Sequence, residues 1–177
     1  MAWSNGPITL YHGCDLASAQ NICVPSPPFV HGIQLARGAK LTDFGQGFYT
    51  TTYLKQAMSW ANLRSRALGA SGSVHPPAVL SFQVNRDWLA TLDAACFVTE
   101  GTNPDFWDLV SYCRAGSGKH RPVTASDYDV VYGLVSLWPQ KFVIKDCDQI
   151  SFHTLRALQG LSAPVIAHQM APGSYFP

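Results

Sequence analysis

A glycine-containing loop that runs directly into a strand is the feature of this sequence that most constrains its fold. Residues 43–51 read Asp-Phe-Gly-Gln-Gly-Phe-Tyr-Thr-Thr. Gly45 and Gly47 allow a tight backbone turn and leave space above it, whereas the aromatic and threonine residues that follow favour an extended strand. The segment therefore predicts a loop that feeds a strand carrying Tyr49.

A helix is predicted immediately after this strand. From residue 53 to residue 68 the apolar side chains recur at helical spacing, Thr51 or Thr52 can serve as the N-cap, and Gly69 follows the end. At about 100° per residue, Trp60 lies beside the apolar stripe rather than in its centre. We therefore expect its ring at the edge of a cleft.

Tyr49 and Trp60 are expected to face each other across a narrow slot. Two aromatic faces separated in this way suit a flat, electron-poor ring. The alternative is that both side chains belong to the hydrophobic core, and these two residues alone do not decide between the possibilities.

The composition predicts one soluble domain, residues 1–177, without a long-range electrostatic preference for a partner. The 177 residues are 47% hydrophobic, which is enough to bury a core, and only 13% charged, with a formal net charge of +1. No apolar run approaches the roughly 18 residues of a membrane span, and the N-terminus lacks the pattern of a secretion signal. We therefore expect a cytoplasmic protein without a membrane partner.

The cysteines predict neither a disulfide framework nor a zinc site. They are odd in number, five, widely spaced, and without a C-x-x-C pair. Reduced thiols and no metal cofactor are the expectation.

The remaining sequence patterns predict short strands and helices in mixed order. Strands are predicted at residues 8–12, 33–35, 78–84, 128–137 and 149–153, and helices at residues 16–22, 105–114 and 155–161. Residues 163–177, with three prolines and a glycine, are expected to be irregular.

A basic cluster lies at the loop predicted for residues 115–126. It contains Arg114, Lys119, His120 and Arg121. Such a cluster is commonly a solvated loop, but it can also hold the phosphates of a ligand. Both interpretations stay open.

Five ordered motifs carry a resemblance to a known superfamily. They are Leu10-Tyr11-His12-Gly13, Asp43-Phe44-Gly45-x-Gly47-Phe48-Tyr49-Thr50-Thr51, Gln56-Ala57-x-x-Trp60-Ala61, Tyr128-Asp129-Val130-Val131-x-Gly133 and Asp148-Gln149-x-x-Phe152-His153-Thr154. This order resembles the ADP-ribosyltransferase superfamily, in the diphtheria-toxin-like and poly(ADP-ribose) polymerase branch with a His, Tyr, Glu signature. It is most similar to a bacterial family of ADP-ribosyltransferase-like domains, over residues 8 to 161 or so.

The resemblance implies NAD-binding roles for the first motifs. His12 resembles the histidine that binds the adenosine ribose, and Gly13 the glycine whose backbone holds the nicotinamide carboxamide. Tyr49 resembles the tyrosine that stacks on nicotinamide, and Trp60, eleven residues later, the aromatic residue that closes the sandwich. The full implied set is Tyr11, His12, Gly13, Gly47, Tyr49, Thr50 and Trp60, with Arg114 and the segment from Lys119 to Arg121 as candidates for the pyrophosphate.

The third motif departs from the superfamily pattern. Gln149 stands where transferases of established activity carry Glu, although the similar bacterial family also has Gln. A glutamate would hold the ribose hydroxyl and stabilise positive charge on the ribose as nicotinamide leaves, whereas Gln is a neutral acceptor and no base. His12, Tyr49 and Gln149 are the implied catalytic set, and single transfer is expected rather than polymer elongation.

The resemblance also implies a fold and a function. The fold is α+β, an ADP-ribosyltransferase-like split β-sandwich of two small, mostly antiparallel sheets with flanking helices. The function is mono-ADP-ribosyl transfer from NAD, a co-substrate, to a macromolecular acceptor, protein or nucleic acid. Relatives in the superfamily include toxins and effectors, which implies delivery into a target cell and a cognate immunity or antitoxin protein as further options.

Two other functions stay open. In an NAD glycohydrolase water replaces the acceptor, and in a non-catalytic module NAD or ADP-ribose is bound without turnover. If the acceptor needs a general base, Asp148, Asp43 and Glu100 are candidates, although each is commonly a surface carboxylate.

Overall fold

The elements alternate along the chain and build two separate sheets. The computed structural model describes residues 5–70, 74–98, 103–117, 120 and 127–177. In chain order the elements are β1 (Ile8–Asp15), α1 (Leu16–Cys23), β2 (Phe48–Thr50), α2 (Leu54–Gly69), β3 (Pro77–Val84), α3 (Arg86–Leu89), β4 (Ala94–Cys96), α4 (Pro104–Arg114), β5 (Val130–Ser136), β6 (Val143–Phe152), α5 (Leu155–Leu158) and β7 (Val165–Gln169). None of the described helices combines the length and the apolar character needed to cross a membrane.

The chain divides into two units, each built from separate stretches. The first contains Met1–Ile33, Thr50–Asp87 and Gly160–Pro177, and the second contains Gln34–Tyr49 and Trp88–Gln159. In the described residues one sheet has the order β1-β3-β7 and the other the order β2-β6-β5-β4. The β4–β5 pair is parallel, whereas β1–β3, β3–β7 and β5–β6 are antiparallel. The predicted α+β class with two small, mostly antiparallel sheets is confirmed.

In the first unit, α2 packs against β1 and β3. Ala57 and Ala61 of α2 form a buried cluster with Val79 of β3 and with Phe176. The helix approaches the sheet closely because β1 carries glycine at position 13, where a Cβ would lie 2.0 Å from the Ala57 carbonyl oxygen.

In the second unit, α4 supplies most of the buried residues of one hydrophobic cluster. Phe106 and Val110 of α4 cluster with Phe44 and with Val131 of β5. Gly133 of β5 leaves space for the Phe44 ring, because a Cβ there would lie 2.8 Å from Phe44 Cζ. Phe44 of the glycine loop and β5, the strand that follows α4, are thereby packed against one another.

Most predicted elements are confirmed. The strands predicted at residues 8–12, 78–84, 128–137 and 149–153 correspond to β1, β3, β5 and the end of β6, and the helices predicted at 16–22, 53–68 and 105–114 to α1, α2 and α4. α4 begins at Pro104, and the side chain of its N-cap Asn103 accepts from the Asp105 N–H.

Several other predictions are wrong. No strand covers residues 33–35, where a 3₁₀ turn begins at Leu35, and α5 ends at Leu158 rather than at residue 161. The segment 163–177 is not irregular throughout, because β7 pairs antiparallel with β3. The prolines and the glycine of this segment flank β7 and do not interrupt it. Their presence led to the wrong prediction that the whole segment is irregular. α3 and β4 are too short to produce a periodic signal.

The predicted start and end of α2 are also wrong. Tyr53 is the N-cap and makes no side-chain capping bond, and Gly69 is the last helical residue rather than the first after it. Thr51 instead accepts from the Tyr53 N–H at 3.0 Å and donates to Gln56 Oε1 at 2.9 Å. Thr51 therefore shapes the turn between strand and helix rather than capping the helix.

Candidate functional site

The residues predicted to bind NAD divide between the two units. Tyr11, His12, Gly13, Thr50 and Trp60 belong to the first unit. Gly47, Tyr49, Arg114 and Gln149 belong to the second. Glu100, Lys119 and Arg121 lie outside the described residues.

Tyr11, His12 and Gly13 lie on β1, an edge strand of the first sheet. The Tyr11 N–H donates to the Thr51 carbonyl at 2.8 Å, and the Thr51 N–H donates to the Tyr11 carbonyl at 2.9 Å. Backbone groups alternate in direction along an antiparallel strand, so the N–H and C=O of Gly13 face the same edge as those of Tyr11. This edge presents the donor and the acceptor that a carboxamide needs.

His12 is partly buried and Thr50 is buried. Successive side chains of a strand point to opposite faces, so His12 lies on the face of β1 away from Tyr11 and Gly13. In the register with β3, His12 lies opposite Leu80. Their assignment to ribose and to NAD stays a prediction.

Trp60 is exposed, at 57% of its surface. α2 buries Ala57, Ala61 and Ser65, and Trp60 lies outside this stripe, as its helical position predicts. The alternative that Trp60 is a core residue is therefore wrong. An exposed indole is able to stack on a flat ring.

Tyr49 is partly buried, and its hydroxyl fastens the glycine loop. The hydroxyl accepts from the Phe44 N–H at 3.0 Å, donates to the Gly45 carbonyl at 2.8 Å and lies 2.7 Å from Thr42 Oγ1. Burial raises the pKa of this phenol above its ordinary value. The hydroxyl therefore stays protonated and structural, while the ring packs against the cluster that contains Phe44.

Two buried histidines also bind the backbone of this loop. His120 Nδ1 accepts from the Tyr128 N–H at 3.0 Å, and its Nε2 donates to the Phe44 carbonyl at 2.7 Å. His153 Nδ1 donates to the Gln46 carbonyl at 3.0 Å, while its Nε2 lies 2.7 Å from Ser151 Oγ. Burial, together with the neighbouring His120, lowers the pKa of His153 to about 3. The carbonyls of Phe44 and Gln46 are thus each bound by an imidazole, that of His120 and that of His153 respectively.

The two glycines of the loop have different roles. Gly45 has a φ of 74°, in the left-handed region that glycine adopts readily, so the predicted tight turn is confirmed there. At Gly47 the space above the backbone is filled, because a Cβ would lie 2.7 Å from the His153 ring and 2.9 Å from the Phe152 carbonyl oxygen. The expectation of open space above Gly47 is wrong.

Asp43 and Gln149 form a buried, hydrogen-bonded polar pair in the second unit. Asp43 is 3% exposed and Gln149 is 8% exposed. Gln149 Nε2 donates to Asp43 Oδ2 at 2.8 Å and to the Leu134 carbonyl at 2.9 Å. Ser136 donates its N–H to Asp43 Oδ2 at 2.8 Å and its hydroxyl to Asp43 Oδ1 at 2.6 Å.

Arg114, a candidate for the pyrophosphate, also binds Asp43. Its Nε and Nη2 donate to Asp43 Oδ1 at 3.0 and 2.6 Å, and its Nη1 donates to the Leu41 carbonyl at 2.7 Å. The guanidinium therefore neutralises a buried carboxylate, and its role with a phosphate stays a prediction. The idea that the basic cluster is a solvated loop is wrong for Arg114 and for buried His120.

The carboxylates considered as general bases differ from the expected surface groups. Asp43 and Asp148 are both buried, so the expectation that they lie on the surface is wrong. Asp43 already accepts from three residues, which leaves it poorly suited to take a proton from an acceptor. The sequence analysis did not identify this structural role of Asp43; the available signal was that Asp43 is the first residue of the second motif and of the glycine loop.

The comparisons with known proteins identify a family but no activity. The model of the family described as "Protein of unknown function (DUF3990)" matches residues 8–137, and the chain belongs to this family. The matched region includes Gly13, Asp43, Tyr49 and Ser136 and ends before Gln149. No curated protein matches the chain.

Proposed function

We propose that this chain is a mono-ADP-ribosyltransferase, which cleaves NAD and transfers ADP-ribose to a macromolecular acceptor on an ADP-ribosyltransferase-like split β-sandwich. The observation that carries the proposal is the amide of Gln149. Both of its hydrogens are held, by Asp43 and by the Leu134 carbonyl, so its oxygen is left as an acceptor. Such an atom suits a hydroxyl donor, and a ribose hydroxyl is the group that the order of motifs assigns to this position.

In the proposed reaction, the bond between the nicotinamide nitrogen and the ribose carbon C1 breaks, and nicotinamide leaves with the electron pair. Positive charge develops on the ribose, and an acceptor nucleophile then bonds to C1 and releases its proton to solvent. Gln149 Oε1 accepts from a ribose hydroxyl and fixes the sugar during this step. No covalent bond between the protein and ADP-ribose is required.

Three features of the other motifs support the same function. The N–H and C=O of Gly13 at the edge of β1 match the acceptor and donor of the nicotinamide carboxamide. The exposed ring of Trp60 and the ring of Tyr49 provide aromatic surface for nicotinamide. A role as a toxin or effector, with a cognate immunity protein, belongs to the same proposal.

A non-catalytic module that binds NAD or ADP-ribose is the second candidate. It is favoured by one observation: the carboxylate beside Gln149 belongs to Asp43, whose charge is compensated by Arg114 and Ser136. Negative charge at this position is therefore weaker than a glutamate would supply, which favours binding over bond cleavage.

The test uses NAD labelled in its adenine and a cell lysate, with the wild-type chain and two variants of α2. Trp60→Ala removes the proposed stacking ring, and Leu63→Ala is the control, because Leu63 is exposed to nearly the same extent, 55% against 57%. We expect label transfer by the wild type and by Leu63→Ala, with at least about a tenfold loss for Trp60→Ala. Digestion of the product by protease or nuclease then identifies the class of acceptor.

The other outcomes separate the alternatives. Free nicotinamide and ADP-ribose without labelled macromolecules would identify a glycohydrolase. NAD that binds and stays intact would identify a binding module. Absence of both binding and turnover, in a correctly folded chain, would contradict the assignment to NAD.

A further inference from the structure

The orientation of the Gln149 amide follows from its two neighbours. Asp43 Oδ2 and the Leu134 carbonyl oxygen, 2.8 and 2.9 Å from Nε2, accept hydrogen bonds and cannot donate them. Exchanging Nε2 with Oε1 would place an oxygen against both acceptors and lose both bonds. Oε1 has no partner within the described residues, so it is the atom left to meet a ligand.

The Asp43 carboxylate is itself held in place by hydrogen bonds from Arg114 and Ser136. Its Oδ1 accepts from Arg114 Nε and Nη2 and from the Ser136 hydroxyl, and its Oδ2 accepts from the Ser136 N–H. With the bond from Gln149, this carboxylate accepts five hydrogen bonds from the described residues. A carboxylate that is saturated in this way has little freedom to rotate and supplies a rigid acceptor.

An irregularity of β5 creates this arrangement. The register between β5 and β6 shifts between Leu134 and Ser136, so the ladder is interrupted there. The Leu134 carbonyl binds the Gln149 side chain, and the Ser136 N–H binds the Asp43 side chain. Breaks of this kind commonly redirect backbone groups beside functional sites.

We propose that Asp43 is a positioning residue: it orients the amide side chain at position 149 so that Oε1, and not Nε2, is left to accept a hydrogen bond from a ligand. Asp43 and the Leu134 carbonyl together select Gln over Glu, because a carboxylate at 149 would face two acceptors at hydrogen-bond distance. The ligand group at this point is a hydroxyl donor, and its identification as a ribose hydroxyl rests on the proposed function. Gln149 is therefore the residue matched to this site, and Gln149→Glu does not create a more active transferase.

The first test is a double-mutant cycle on stability, which needs no ligand. We compare the melting temperature of the wild type, Gln149→Glu, Asp43→Asn and Asp43→Asn/Gln149→Glu at pH 5 and pH 7.5. At pH 7.5 Gln149→Glu should lower Tm by about 5 °C or more, since its carboxylate is held against that of Asp43. At pH 5 the loss relative to the wild type should be smaller, because the introduced carboxyl group is then partly protonated and donates to Asp43.

In the Asp43→Asn background, the loss of Tm caused by Gln149→Glu should no longer depend on pH, because the amide at 43 is able to donate to a carboxylate at 149. Among the described residues, Arg114 is the charged residue that is hydrogen-bonded to Asp43, and it is unchanged in all four proteins. Gln140→Glu, the same substitution at an exposed residue of the second unit, is the control for added charge. If Gln149→Glu kept the wild-type Tm at both pH values, or if Asp43→Asn left its penalty unchanged, the positioning role would be refuted.

The second test measures the dissociation constant of NAD for the same proteins. Asp43→Asn should raise it about tenfold, because the amide at 149 is free to rotate, and Gln149→Ala should raise it to a similar extent. Gln140→Glu should bind as the wild type does. If Asp43→Asn bound NAD as tightly as the wild type does, the proposed positioning role of Asp43 would be refuted. If the wild type bound no NAD, the proposed function would fail, while the stability cycle would still decide whether Asp43 orients Gln149.

Discussion

At the scale of single residues, glycines that belong to a predicted ligand site also carry packing roles. Gly13 is predicted to hold a carboxamide through its backbone, yet its missing side chain is what admits α2 to the surface of β1. A substitution at this position therefore tests packing before it tests binding. The same is true of Gly47, which is covered by the His153 ring.

Gly13→Ala should destabilise the chain strongly. The added Cβ would lie 2.0 Å from the Ala57 carbonyl oxygen and 2.8 Å from the Ala61 nitrogen, and backbone atoms of a packed helix cannot move aside cheaply. We expect a loss of about 3 kcal/mol in the free energy of unfolding, measured by urea titration. Gly6→Ala is the control, because within the described part of the chain no atom other than those of the adjoining residues lies within 4 Å of a Cβ there. Equal stability of the two variants would show that α2 does not pack as described.

His153 should make the stability depend on pH. Its pKa is about 3 in the folded chain against an ordinary value of 6.5, so between these values the unfolded chain binds more protons. The free energy of unfolding should therefore fall as pH decreases from about 6.5 towards 3, with a slope approaching 1.4 kcal/mol per pH unit from this group, as a rough estimate. His153→Asn keeps a donor for the Gln46 carbonyl but does not titrate, and should lack this part of the slope. An unchanged slope in His153→Asn, by urea titration at each pH, would contradict the assignment.

At the scale of elements, the break in β5 and the loop before β2 meet at Asp43. Sequence patterns predicted most of the strands and helices because periodicity is local, but they missed this junction. Arg114 lies 71 positions and Gln149 106 positions from Asp43, and a single sequence contains no signal that pairs residues so far apart. The motif order indicated Gln149, whereas the residue that orients it became visible only from the hydrogen bonds.

Arg114→Met should show that α4 is tied to this junction. The substitution keeps an apolar chain of similar length but leaves the buried Asp43 carboxylate without its guanidinium, at a cost of about 3 kcal/mol. Arg156→Met is the matched control. Arg156 is 56% exposed and lies 3.6 Å from Asp129, so its loss should cost less than about 1 kcal/mol. The free energy of unfolding of both variants is measured by urea titration. Similar small losses in the two variants would mean that Arg114 is available for a ligand.

At the scale of the whole molecule, the chain passes repeatedly between its two units. It leaves the first unit after Ile33, returns at Thr50, leaves again after Asp87 and returns at Gly160. Each sheet therefore joins strands that are distant in sequence, and pairings of this kind are not readable from local patterns. The class of fold was nonetheless predictable, because the resemblance carried by the ordered motifs implied two small, mostly antiparallel sheets.

The segment matched by the family model, residues 8–137, should not fold by itself. It lacks β6, which lies between β2 and β5 in the second sheet, and β7, which pairs with β3 in the first. Without β6 the fragment also lacks three residues that are buried in the full chain, Gln149, Ile150 and Phe152. We expect no cooperative unfolding transition for fragment 8–137, followed by circular dichroism during urea titration, and a clear transition for fragment 8–177, the control that lacks the same first seven residues. A cooperative transition of similar midpoint in both fragments would mean that the strands after residue 137 are appended to a core that is already complete.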